Sequence, residues 1–264
     1  MSKGQEKRFF SPKSGEEIRA NISVLCLEPS DTHYARDVLR LKSGDTITLV
    51  SRICGSTFRC SVNAISDQEI SLSLDGEASP VSPFSPQTKL LAFALCKGKR
   101  TTLLIEKATE LGVEHLVLWQ ADHSVVILNN KKEREKKLAR FESTAEAAAR
   151  QSQQRYLPQL HICANLEEML ELSDTLWLDG EPRFCCSLRS DATPIQKISP
   201  LQARSHVIVG PEGDLSPREQ LEIEKRGFEL VSLGPNTLRS ETAAIAVLAM
   251  LEALRELPDE MPRL

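Results

Sequence analysis

The sequence predicts an α/β protein, with a mostly parallel sheet interleaved with helices and a small antiparallel β-barrel or sheet ahead of it. Three observations predict this. Residues 45–74 alternate apolar and polar positions in short runs. A loop rich in small residues and prolines follows near residue 80, and beyond it apolar runs alternate with helical segments to the end of the 264-residue chain.

The elements read in order as follows. Ser30-Asp31-Thr32 caps a short helix from His33 to Leu41, stopped by Gly44. The runs TITLVSRI, FRCSVNAI and EISLSL are strands, separated by turn residues at Cys54-Gly55-Ser56 and Ser66-Asp67. Asp75 to Pro80, with Pro83 and Pro86, mark a boundary that divides the chain into domains at 1–78 and 79–264. Then come LLAFALC as strand, TLLIEKATELG as helix, HLVLW as strand, and a long helix from about Glu133 to Gln153. Strand His206–Val209 runs into Gly210-Pro211-Glu212-Gly213, and Ser216-Pro217-Arg218-Glu219 is a capping box with proline at the first helical position. Lys225-Arg226 and Gly227 end that helix. Strand Phe228–Leu233, a loop from Gly234 to Glu241 and an almost wholly apolar helix from Thr242 to Leu254 complete the pattern. A helix apolar on nearly all sides is buried, inside its domain or against a second subunit.

Composition narrows the function. The formal charge is −4, so nucleic-acid contact needs a local basic patch. Residues 129–155 supply one, with eight Lys/Arg against four Asp/Glu, whereas residues 210–264 carry six against eleven. No run of about 18 apolar residues is present, and MSKGQEKRFF lacks the apolar core of a secretory signal, which predicts a cytoplasmic protein with no membrane partner. The seven cysteines form no C-x-x-C pair, and His33, His115, His123, His161 and His206 form no i, i+4 pair. No metal site is expected, and the cysteines read as reduced thiols.

Two loops draw attention because each follows a strand and precedes a helix, where open α/β sheets bind ligands. Gly210-Pro211-Glu212-Gly213 and Leu233-Gly234-Pro235 can offer main-chain groups to a flat heterocycle such as adenine, or can be tight turns alone. Neither matches G-x-G-x-x-G or a P-loop. Arg239 can hold a phosphate or polarise a base carbonyl, while Glu241 is either a base or a helix-dipole partner. Lys97, Lys99 and Arg100 are phosphate clamps or solvated charges. His33 and Arg40, seven apart on one helix, share a face suited to RNA.

The segment VGPEGDLSPREQLEIEKRGFELVSLGPNTLRSETAAIAVLAML resembles the C-terminal signature of the RsmE family of SPOUT methyltransferases, which methylate N3 of a uridine in 16S ribosomal RNA. KGKRTTLLIEKATELGVEHLVL resembles the family's basic stretch and K-x-T-E-L-G-V helix, AAARQSQQRYLPQL its A-x-E-Q-S-G-R segment, and RFF with HYARDVLRLKSGD its N-terminal PUA-like domain.

The resemblance implies a parallel sheet with helices on both faces tied in a deep trefoil knot, an exception to the usual rule, plus a PUA-like RNA-binding β-barrel over residues 1–78. S-adenosylmethionine would lie against Leu178, Gly210, Pro211, Glu212, Gly213, Leu233, Gly234 and Leu238, leaving as S-adenosylhomocysteine, with no metal. Arg239 and Glu241 would be catalytic, Arg239 stabilising the uracil anion or orienting a phosphate and Glu241 positioning it or taking the proton. Arg8, His33, Arg40, Lys97, Lys99, Arg100, Gln151 and Arg155 would touch RNA. The partners would be 16S rRNA within the assembled small ribosomal subunit and a second copy of the chain, not DNA. A catalytically silent RNA-binding or ribosome-assembly protein and a methyltransferase acting on tRNA or another base are the competing readings. Against the family pattern, Asp214 takes the place of the second glycine in G-P-E-G-G, Asn236 and His123 each the place of an arginine, and Arg150 and Gln154 the places of the Glu and final Arg of E-Q-S-G-R.

Overall fold

The computed structural model describes residues 7–20, 25–52, 55–79, 88–127, 130–201 and 203–255. It divides into two units, one of residues 1–84 with 149–157, the other of residues 85–148 with 158–264. Pro80, Pro83 and Pro86, read as the boundary, and turn residue Cys54 lie outside the described residues. The end of the long helix, expected in the second domain, groups with the first unit.

In the first unit, β1 (Arg8–Ser11), β2 (Leu25–Cys26), β3 (Thr46–Ser51), β4 (Thr57–Ile65) and β5 (Ile70–Ser79) form one sheet in the order β1-β3-β4-β5-β2. The pairs are antiparallel except β1 with β3. Alternation decides the face: Phe58, Cys60 and Val62 of β4 are buried while Arg59 and Asn63 are exposed. Phe9, Ile18, Leu25, Ile47, Leu49, Ile70 and Leu72 complete that core. The first helix, α1, spans Gly15–Ala20, and α2 spans Pro29–His33, continuing as a π-helical turn over Tyr34–Val38.

That turn corrects the reading of His33 and Arg40. Leu39 N donates to Tyr34 O and Leu41 N to Ala35 O, wider rings than those of an α-helix, so the periodicity slips before residue 40. Arg40 itself adopts φ +52, off the helix, and the two residues do not share a helical face. The expected run to Leu41 ends at Val38 because Leu41 turns back into the core.

In the second unit, β6 (Thr88–Ala94), β7 (His115–Trp119), β8 (Gln159–Cys163), β9 (Arg183–Cys186), β10 (Thr193–Pro194), β11 (Ser205–Val209) and β12 (Glu229–Ser232) form a sheet in the order β10-β12-β9-β11-β6-β7-β8, every pair parallel. Helices α3 (Arg100–Glu110), α4 (Lys131–Ser152), α5 (Leu166–Leu176), α6 (Pro217–Lys225) and α7 (Ser240–Ala253) connect or follow the strands. Period two sorts the buried side chains to opposite faces. Leu91 and Phe93 of β6 pack in one cluster with Leu104 and Ile105 of α3, Phe141 of α4 and Val247, Leu248 and Leu251 of α7. Leu90, Ala92 and Ala94 pack in the other with Met169 and Leu170 of α5 and Ile223 of α6. Strands buried on both faces read as continuous apolar runs, which is why LLAFALC and HLVLW are so plain in the sequence.

The capping box forms as read: Ser216 Oγ accepts from Glu219 N, and Glu219 Oε2 accepts from Ser216 N at 2.8 Å. Among the described residues, no helix is long and apolar enough to cross a membrane, and Cys26, Cys60, Cys96, Cys163, Cys185 and Cys186 are free thiols.

Candidate active site

Because β12, β9 and β11 are parallel neighbours, their C-terminal ends lie side by side, and three loops leave from them. Residues 186–188, 209–212 with 214, and 233–234 with 236–240 line a cavity of about 390 Å³, the size of a small-molecule cleft. Gly210, Pro211, Glu212, Leu233, Gly234, Leu238 and Arg239 line it, as do Asp214, Asn236, Thr237 and Ser240. A Cβ on Gly210 would stand 3.0 Å from the buried Leu215 Cγ, so a larger residue there requires Leu215 to shift. Gly234 holds φ +139, a conformation other residues avoid. Gly213 is not in the lining; it packs against His123, whose Cβ lies 3.1 Å from where a Gly213 Cβ would stand.

Leu178 lies away from the cavity, exposed beyond the end of α5. Its turn is tied to Glu181, which accepts from Leu178 N at 2.9 Å and from Trp177 Nε1 through its carbonyl at 2.8 Å. The third wall is Cys186, Ser187 and Leu188, one strand later. The signal for it is the short run RFCC after Pro182, which becomes β9.

The first glycine loop, after β11, is held from the side. His123 Nδ1 donates to Gly213 O at 3.1 Å and to Asp214 O at 3.0 Å. Asp122 N donates to Glu219 Oε1 at 2.8 Å, and Ser216 Oγ donates to Asp122 Oδ2 at 2.6 Å. The loop after β7 therefore fastens both the cavity loop and the start of α6. Asp214 takes φ +62 in the motif's glycine place and accepts Leu215 N on its own Oδ1 at 2.8 Å, a local bond that suits Asp to this conformation.

Four charged side chains line the cavity, Arg100, Glu212, Asp214 and Arg239, and the buried Glu241 lies beside Arg100. Arg239, exposed, stands at the N-cap of α7. Arg100 lines the cavity and is ion-paired with Glu212, and its Nε is 3.7 Å from Oε1 of the buried Glu241. The neighbouring thiols stay protonated near neutrality: burial pushes both Cys186 and Cys96 up to about 12, and the Glu212 carboxylate adds to the effect on Cys96. Carboxylates and guanidinium groups are thus left to do proton and anion work.

The residues read as RNA contacts divide. Lys97 and Lys99 are exposed in the turn after β6. In the first unit, His33 is exposed and pairs with Asp37 at 3.2 Å, Arg40 and Gln151 are exposed, and Arg155 is half-buried. Arg8 is buried, and its guanidinium donates to the carbonyls of Gln153 and Gln154, the latter at 3.1 Å; it fastens residues 149–157 to β1 and does not face a nucleic acid. Among the described residues, no group of three or more His, Cys, Asp or Glu is placed to hold a metal.

Comparison with known proteins gives the same family from several directions. Residues 84–252 match the model of the RNA methyltransferase domain family. The chain is 27% identical over 254 residues to the ribosomal RNA small subunit methyltransferase E of Bacillus subtilis, covering 95% of this chain and 98% of that one. It is 30% identical over 175 residues to the protein of the same name from Mesomycoplasma hyopneumoniae, covering 62% of this chain and 69% of that one. The crystal structure of that enzyme from Neisseria gonorrhoeae bound to S-adenosyl methionine superposes with a TM-score of 0.81 at 22% identity, covering 95% and 98% of the two chains, and shows a shared fold. The chain belongs to the RNA methyltransferase family, alongside the ribosomal RNA small subunit methyltransferases E.

Proposed function

We propose that this protein is an S-adenosylmethionine-dependent methyltransferase that modifies N3 of one uridine in 16S rRNA of the small ribosomal subunit. The observation that carries the reading is the cavity built by three loops at adjacent strand ends, with glycine backbone on two sides, apolar Leu233 and Leu238, and Arg239 with the Arg100–Glu212 pair at its wall. Gly210 and Gly234 present backbone without side chains at the cavity wall, which suits close approach of a flat adenosyl group. The relatives' names and the cofactor bound in the Neisseria gonorrhoeae structure support the same assignment.

S-adenosylmethionine supplies a methyl group already activated on a sulfonium and leaves as S-adenosylhomocysteine. What remains for the chain is to align the uracil, take the N3 proton and offset the charge left on the base. Uracil N3 carries a proton at neutral pH and is no nucleophile until it is lost. In this reading Arg239, with no ion pair among the described residues, stabilises that charge or orients a phosphate, and Glu241 positions it or accepts the proton.

The five-stranded sheet of the first unit is read as a PUA-like RNA-binding barrel, and the seven-stranded sheet as a SPOUT fold with a trefoil knot. His33, Arg40, Lys97, Lys99, Gln151 and Arg155 are the RNA contacts in this reading. The chain acts in the cytoplasm on assembled small subunits, as a homodimer whose contact includes the apolar α7.

The test is methyl transfer to small subunits from cells lacking this gene, followed by reverse transcription across the decoding region. An N3 methyl group blocks the Watson–Crick edge, so a new stop at one uridine is expected. No stop with cofactor binding intact would direct the activity to another RNA. Absence of both would leave a silent RNA-binding protein.

A further inference from the structure

The basic cluster Lys97-Gly98-Lys99-Arg100 does not act as one unit. Lys97 and Lys99 face solvent, while Arg100 turns toward two carboxylates from distant parts of the chain. Its guanidinium pairs with Glu212 of the glycine loop, and its Nε lies 3.7 Å from Glu241 Oε1 in the first turn of α7. Glu241 is 7% exposed, and its other oxygen, Oε2, is buried with no hydrogen-bond partner among the described residues. A buried carboxylate oxygen without a donor is costly, and such an orphan calls for a water, an ion or a ligand to supply the missing partner. The Cys96 thiol nearby stays protonated and adds no second anion.

We propose that Arg100 is a positioning residue for methyl transfer: it holds Glu241 through Oε1 so that the unpartnered Oε2, buried beside the cavity wall, is the oxygen that meets the uridine N3–H. Its bond to Glu212 fixes the glycine loop relative to the start of α7 at the same time. The inference rests on the function proposed above. In the step it serves, the N3–H bond breaks and the proton goes to Glu241 Oε2. The pair left on N3 bonds to the methyl carbon, and the pair of the broken carbon–sulfur bond stays on sulfur, giving a neutral thioether. Arg100 makes and breaks no bond. Its charge, 3.7 Å away at Nε, offsets that of a carboxylate withdrawn from water and favours the orientation that turns Oε1 toward it.

The experiment compares Arg100→Gln and Arg100→Lys with the unaltered full-length protein in single-turnover methyl transfer to unmodified small subunits. S-adenosylmethionine affinity by calorimetry and the melting temperature are measured alongside. At saturating cofactor and RNA, Arg100→Gln is expected to slow transfer by about tenfold or more. The cofactor Kd should move by less than about threefold. Arg100→Lys should recover most of the rate, because it keeps the charge. In a Glu241→Gln background, Arg100→Gln should add less than about twofold, since the arginine acts through that carboxylate.

Three outcomes overturn the proposal. Weaker cofactor binding in step with the lost rate would mean that the arginine serves only Glu212 and the glycine loop. Weaker RNA binding with an unchanged rate at saturation would make it a phosphate contact. Full additivity with Glu241→Gln would separate the two residues. If Arg100→Gln unfolds, Arg100→Met, which keeps the packing of the stem, carries the same comparison. Unaltered protein that binds cofactor but methylates no small subunit overturns the functional reading itself, and this inference with it.

Discussion

Arg150 lies over the rings of Phe9 and Tyr34 and closes an ion pair with Asp31, 119 residues away in the chain. The pair accounts for a departure from the family motif, which carries a glutamate where this chain has Arg150. The reversed charge is matched by an acidic partner that is 3% exposed. Asp31→Ala removes that carboxylate from a largely buried guanidinium, and a loss of about 3 kcal/mol is expected. Arg150→Glu, which restores the family's residue, should do at least as much damage by setting two carboxylates together. Urea unfolding followed by circular dichroism reads both, and an Arg150→Glu protein as stable as the parent would show that Asp31 is not its counterpart.

Two places where the motifs have glycine carry other residues here in the left-handed region that glycine favours. Gln153 holds φ +57 at the glycine of the E-Q-S-G-R segment, and Asp214 holds φ +62 in G-P-E-G-G. A left-handed conformation costs an ordinary residue about 1–2 kcal/mol, part of which glycine returns through its freer unfolded chain. Gln153→Gly should therefore stabilise by about 0.5–1 kcal/mol. Asp214→Gly should gain less, because it gives up the bond from Asp214 Oδ1 to Leu215 N. Melting temperatures of the two variants decide the order.

Local signals were legible in the sequence and distant ones were not. The capping box at Ser216 and Glu219 is a three-residue relationship, so spacing alone reveals it. The strands β6 and β7 declare themselves because burial on both faces demands unbroken apolar runs. Leu178 misled because LWLD has the apolar look of a strand end, whereas Glu181 ties those residues into a turn and the strand begins after Pro182. Arg8 and Arg100 look like surface charges until the fold brings them to Gln154 and Glu212, 146 and 112 residues away. No periodicity encodes such pairs.

The exposed lysines of α4 bear on RNA binding. Lys131, Lys132, Lys136 and Arg140 are exposed, whereas Lys137 pairs with Glu133 at 2.8 Å and Arg134 with Glu168 at 3.4 Å. If the four exposed cations neutralise phosphates, the slope of log K against log salt should include about 0.7–0.9 for each. Replacing Lys131 and Lys132 by Gln should flatten it by about 1.5. An unchanged slope would remove this helix from the RNA contact.

Glu241 and Arg239 separate kinetically if their roles are as proposed. Glu241→Gln keeps the shape but takes away the proton acceptor, so transfer at saturation should fall by about 10²-fold or more with cofactor binding retained. Arg239→Ala should lower the rate or the RNA affinity according to whether it meets the base or a phosphate, and single-turnover assays at two RNA concentrations distinguish these. Full activity with unchanged RNA affinity would exclude Arg239 from both roles.

At the other end of the sheet, pH should act through His206. Its ring is fully buried, with Nδ1 at 2.9 Å from Ser173 Oγ and Nε2 at 3.4 Å from Glu181 Oε2. Burial lowers the imidazole to about 4 from the usual 6.5; the Arg183 and Lys89 cations act in the same direction, while Glu181 pulls back. The unfolded chain thus binds a proton between pH 6.5 and 4 that the folded protein refuses. The stability contributed is complete above pH 6.5 and is lost as pH falls toward 4, a total on the order of 3 kcal/mol. Urea midpoints measured from pH 7.5 down to 4.5 should fall more steeply for the parent than for His206→Gln, which cannot titrate. Parallel curves would place the acid sensitivity elsewhere, whereas a flatter variant curve would identify this buried imidazole as a source of it.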